Sequence, residues 1–103
     1  MLEEVKSALR ISNTAYDKEI KDLIDACKID LVTSGVASSY FSKDTFGALI
    51  KQAIILYCKA QFGFDNQDAT RLNESYELLK QKLVIVYSTY SETLGDEQIY
   101  GTI

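Results

Sequence analysis

The sequence predicts an all-α fold, a small bundle of about four helices with an extended C-terminal tail. Three observations point there. Proline is absent, five glycines fall mainly between periodic segments, and no two cysteines or glycines cluster into a loop motif. Apolar residues recur at steps of three and four, the spacing that gathers them on one side of a helix. With 103 residues there is room for one modest core and for no second domain. Residues 1–94 are read as the helical domain and residues 95–103 as a flexible tail.

The first helix is expected over Leu2 to Leu9, with Leu2, Val5 and Leu9 on one face and Glu3 and Glu4 near the positive end of the helix dipole. It is too short to stand alone and must dock. A second helix is expected after Thr14, where Thr14-Ala-Tyr-Asp17 has the spacing of a capping box. Its stripe is Tyr16, Ile20, Leu23, Ile24, Cys27 and Leu31, with Asp17, Lys18, Lys21, Asp22, Asp25 and Lys28 on the other side, and Gly35 is the expected stop. Residues 36 to 43 lack a helical stripe and read as a connecting loop, part of which packs through Tyr40 and Phe41.

The third helix is expected from Asp44 to Phe62. Its centre, Ala53-Ile-Ile-Leu-Tyr-Cys58, is apolar all round, which suits a helix contacted on several sides. Gly63 follows as its break. After the cap-rich Asp65-Asn-Gln-Asp68, a fourth helix carries Leu72, Tyr76, Leu79, Leu83, Val86 and Tyr90 as a seam. Val84-Ile-Val-Tyr87 has strand-like composition, so its end is not fixed by pattern alone. From Gly95 the chain reads as a tail with a few apolar anchors.

Composition narrows the function classes. Apolar residues make up 47% and charged residues 25%, the balance of a folded globular chain. The net charge of −4 and the lack of any Lys/Arg run argue against a strong autonomous nucleic-acid binder. No stretch reaches the roughly 20 apolar residues of a bilayer span, so no membrane partner is expected. The start, Met1-Leu-Glu-Glu-Val-Lys, is acidic where a signal peptide is basic, so synthesis and folding in a cytosol are expected. With no histidine, Ser-His-Asp and Cys-His dyads cannot be built and His-based metal sites are excluded. No enzyme activity, metal or cofactor is expected.

Cys27 and Cys58 fall on apolar helix faces and read as core residues. Asp22 and Asp25 read as a solvated face, and the lysines at 51, 59, 80 and 82 as dispersed solubilising charges. Seven tyrosines with no tryptophan are a stronger signal, because tyrosine offers interfaces apolar area with a polar tip. Tyr76 reads as core. Tyr90, Ile99, Tyr100 and Ile103, beyond the last strong stripe, form the candidate partner interface.

Three blocks, in order, resemble one family. The first is Val5-Lys-Ser-Ala-Leu-Arg-Ile11 followed by Tyr16-Asp-Lys-Glu-Ile-Lys-Asp-Leu-Ile-Asp-Ala26 and Asp30-Leu-Val-Thr-Ser-Gly-Val36. The second is Leu49-Ile-Lys-Gln-Ala-Ile-Ile-Leu-Tyr-Cys-Lys-Ala-Gln-Phe-Gly63, and the third Arg71-Leu-Asn-Glu-Ser-Tyr-Glu-Leu-Leu-Lys-Gln-Lys-Leu83. Together they resemble the head-tail connector (adaptor) proteins of tailed phages and prophages. The proline common before that family's central helix is missing here, and nothing after Tyr90 aligns.

The resemblance implies a structural virion subunit, assembled in the bacterial host cytoplasm. It implies a homo-oligomeric ring of about twelve copies between the portal protein and the stopper or tail-completion protein. DNA passes through such a ring without sequence-specific binding. The family has no known catalytic residues or cofactor. The alternative reading is a small helical DNA-binding or regulatory protein, against which the missing basic recognition helix counts.

Overall fold

A computed structural model describes residues 1–41, 47–63 and 66–88. Among these residues the chain forms four helices and no strand: α1 (Leu2–Leu9), α2 (Asp17–Ser34), α3 (Ala48–Gln61) and α4 (Ala69–Val86). A single 3-10 turn, Ser38–Phe41, follows α2.

Most of the apolar stripe anticipated from spacing is the core, but Tyr16, expected on the α2 stripe, is 47% exposed and lies just before the helix. Val5 of α1, Ile20, Ile24, Cys27 and Leu31 of α2, Ile50, Ala53, Ile54 and Cys58 of α3, and Leu72, Tyr76 and Leu83 of α4 are all buried. Helix α3 is the hub, packing on α1, α2 and α4. Its continuous apolar run is explained by that position: Ala53, Ile54 and Cys58 are sealed, while Ile55, Leu56 and Tyr57 are partly covered by neighbouring elements. At about 1.5–3 kcal/mol for each large side chain buried, α3 supplies a major share of the driving force.

Helix ends follow backbone chemistry. Helix α1 stops at Arg10, which turns into the left-handed region at φ 61° and donates its N–H to the Ser7 carbonyl. Gly35 ends α2 at φ 123°, a conformation that costs an L side chain heavily. The last turn of α3 is closed from outside: the Asn66 amide donates to the carbonyls of Lys59 at 2.6 Å and Ala60 at 3.4 Å.

Several expectations are corrected. Thr14 and Asp17 do not form a capping box. Tyr16 is the cap residue of α2 and no side chain caps it, because the Asp17 carboxylate faces Lys6 of α1, Oδ1 to Nζ 2.8 Å. Helix α3 begins at Ala48, four residues later than Asp44, since Gly47 is extended at φ −64° and ψ 153°. The segment after α2 is more ordered than an open loop. Val36 pairs with Ser88 in an isolated antiparallel bridge, and the Ala37 N–H donates to the Tyr87 carbonyl at 2.8 Å. Val84 to Val86 are helical, and the chain leaves the helix at Tyr87.

Candidate functional site

Tyr90, Ile99, Tyr100 and Ile103, the partner interface expected from the sequence, lie outside the described residues. The other residues weighed above divide into groups that hold the bundle together and groups that face outward. Cys27 and Cys58 are fully buried, and burial pushes both thiols up to about 12, which leaves them protonated and inert. Asp22 forms an exposed ion pair with Lys18 at 2.9 Å, and Asp25 is exposed. Lys51 stands 3.7 Å from Glu4 and Lys80 lies between Asp30 and Glu77, so these lysines do not form a basic patch.

The main polar cluster spans α2 and α4. The Tyr76 ring is 2% exposed and meets Tyr57 edge-on at 5.3 Å. Its hydroxyl donates to Asp30 Oδ2 at 2.6 Å and lies 3.7 Å from the Cys27 thiol, which donates to it. Lys80 Nζ donates to the same Asp30 oxygen at 3.0 Å and to Glu77 at 3.1 Å, and sits 5.4 Å from the Tyr76 ring centroid. Burial pushes the Tyr76 hydroxyl well above the usual tyrosine value, and its bond to the Asp30 carboxylate pushes the same way. Burial alone would raise the Asp30 carboxyl, but the bonds from Tyr76 and Lys80 and the Lys80 charge outweigh it and hold it below 3.8. Lys80 is raised: burial acts against its charge, and the Asp30 and Glu77 carboxylates overcome that. This cluster is a clamp between helices.

Lys6, missed by pattern reading, is a buried charge. Its side chain is only 8% exposed, with Asp17 as its ion-pair partner. Among the described residues no group of His, Cys, Asp and Glu is placed to hold a metal ion, and no helix is long and apolar enough to cross a membrane.

What the surface offers is apolar. Ile29 is 67% exposed, Val32 41%, Leu78 63% and Ile85 74%. Ile29 and Val32 join Lys28, Thr33, Ser38 and Phe41 around a shallow groove, and Leu78 lies in a second one with Thr70, Asn73, Glu74 and Glu77. Isolated exposed aliphatics are ordinary, but pairs on one helix face mark contact with another protein more readily than chemistry does.

No curated protein and no solved structure matches this chain. A family model does. Described as "Phage connector protein", it matches residues 1–90, which takes in all four helices and the Tyr76 clamp. That match covers most of the chain and agrees with its all-helical body, so the chain belongs to the phage connector protein family.

Proposed function

We propose that this chain is the repeating subunit of a ring in the virion neck, between the portal protein and the stopper or tail-completion protein, with DNA passing through the ring. The observation that carries this reading is the family match over residues 1–90. The exposed aliphatic side chains on α2 and α4 support it, because a ring subunit must keep apolar surface for its neighbours. The charge of −4 supports it too: carboxylates facing a lumen repel the phosphate backbone and let DNA slide, where clustered cations would hold it. The role asks nothing of a catalytic group.

In this reading residues 1–94 are the ring-forming domain and 95–103 a tail. Tyr90, Ile99, Tyr100 and Ile103 then dock on the portal after assembly in the host cytoplasm. The test is co-assembly with the portal protein from the same genome, followed by native mass spectrometry. The full chain should bind the portal in many copies. Deleting residues 95–103 should leave helicity and thermal melting nearly unchanged and abolish that binding. A truncated chain that still loads onto the portal would show that the docking surface lies within the helical body.

A further inference from the structure

The backbone does not require a glycine at position 47. At φ −64° and ψ 153° Gly47 is extended in a way that any L residue adopts. Space is what excludes a side chain: a Cβ here would lie 2.5 Å from the Tyr87 hydroxyl oxygen and 3.2 Å from the ring carbon that bears it. The tip of Tyr87 therefore fills the volume that a side chain at the start of α3 would take.

The same tyrosine holds the chain that leaves α2. Its carbonyl accepts the Ala37 N–H at 2.8 Å, and its ring meets the Tyr40 ring edge-on, with centroids 4.8 Å apart. The next residue, Ser88, bridges Val36. Tyr87 is itself fixed to α4 by its N–H, which donates to the Leu83 carbonyl at 2.8 Å. One residue thus touches three elements: the exit of α4, the turn after α2 and the start of α3.

These contacts lie at the rim of the core. Tyr40 and Tyr87 are only partly buried, whereas Leu31 and Leu83, further into α2 and α4, are sealed. Segments held by few buried apolar contacts and by isolated backbone bonds open at lower free energy than a core does.

We propose that Tyr87 is a clasp, through which the turn after α2, the start of α3 and the exit of α4 open and close as one unit while the rest of the bundle stays folded. The clasp belongs to the single chain and does not depend on the ring reading. Its coupling is reciprocal: whatever displaces the chain leaving α4 loosens both ends of the connection between α2 and α3, and the reverse.

The test is amide hydrogen exchange of the full chain, followed residue by residue by NMR over a range of low urea concentrations. The reporters are the N–H groups of Ala37, Tyr40 and Lys51, which donate to the carbonyls of Tyr87, Ala37 and Gly47. The reference is Ile54, in the sealed part of α3. The three reporters should share one opening with a shallow urea dependence, and Ile54 should exchange more slowly with a steeper one. Gly47→Ala crowds the Tyr87 hydroxyl, so it speeds an amide only where the opening also separates Tyr87 from position 47. It should speed all three reporters equally, by about tenfold, and adding Tyr87→Phe, which removes the colliding oxygen, should reverse most of the gain. Acceleration of Lys51 alone, reporters that follow the urea dependence of Ile54, or a double variant as fast as Gly47→Ala would each overturn the clasp. Should Gly47→Ala fail to fold, Tyr87→Leu, which removes the ring and keeps apolar bulk, decides the matter: all three reporters should speed up together, and an unchanged Lys51 overturns the coupling.

Discussion

At Tyr76 a core ring carries a hydroxyl that must find a partner, and Asp30 and Cys27 supply it. The consequence is a pH dependence whose sign is fixed. Asp30 has its folded value below 3.8, so its contribution is complete above 3.8 and is lost as pH falls through the folded value. Lys80 is raised above 10.5, so its contribution is complete below 10.5 and is lost as pH rises through its folded value. Asp30→Asn should therefore flatten the acid limb of the urea midpoint against pH below about 4. Tyr76→Phe should cost about 1–2 kcal/mol at neutral pH, since it removes a hydrogen bond to a charged group and keeps the ring. An unchanged acid limb in Asp30→Asn would mean that other carboxylates govern it. Tyr76 was legible in the sequence as a core residue. Asp30 was not, because it sits beside the apolar stripe of α2 and its partner lies 46 residues away. Lys6 was hidden for the same reason: nothing local tells a lysine that its head will meet Asp17 under a neighbouring helix.

At the level of elements, spacing specified nearly everything that depends on one face being apolar. Helix α1 has the bounds its stripe implied, and α2 stops before Gly35 as expected. Starts were harder. Thr14-Ala-Tyr-Asp17 carries the letters of a cap, but an ion pair with Lys6 outcompetes the local bond for the Asp17 carboxylate. The start of α3 depended on whether Gly47 would extend, which its sequence neighbours do not decide. Two of the positive-φ residues that follow helices, Gly35 and Arg10, respond oppositely to substitution. Gly35→Ala should destabilise by about 1–2 kcal/mol, because a Cβ is strained at φ 123° and would lie 3.3 Å from Val84. Arg10→Gly should stabilise by about 0.5–1 kcal/mol, since exposed Arg10 now bears the left-handed strain at φ 61°. Thermal melting of both variants checks the pair, and a destabilised Arg10→Gly would show that the arginine side chain contributes more than its backbone costs.

For the whole molecule, the concentration of contacts on α3 makes it the point of greatest sensitivity. A chain of this size is held by about 5–15 kcal/mol in total. Ile54→Ala, at a fully buried site on the hub helix, should remove about 2–5 kcal/mol. Urea denaturation followed by circular dichroism should show a large fall in midpoint with the slope unchanged, and a loss under 1 kcal/mol would mean that the core relaxes around the gap. The helical body was legible because burial repeats with the helix period. The expected contacts at Ile99, Tyr100 and Ile103 follow no such repeat, and these residues and Tyr90 lie outside the described residues.

The bridge between Val36 and Ser88 ties the exit of α4 to the chain just beyond α2. Any force entering from beyond residue 88 therefore meets the Ala37 to Tyr87 backbone bond before it reaches helix α4. That joint is a strain relief: a tug on the end of the chain is shared between two helices that already lean on the same central rod, and neither has to unwind alone.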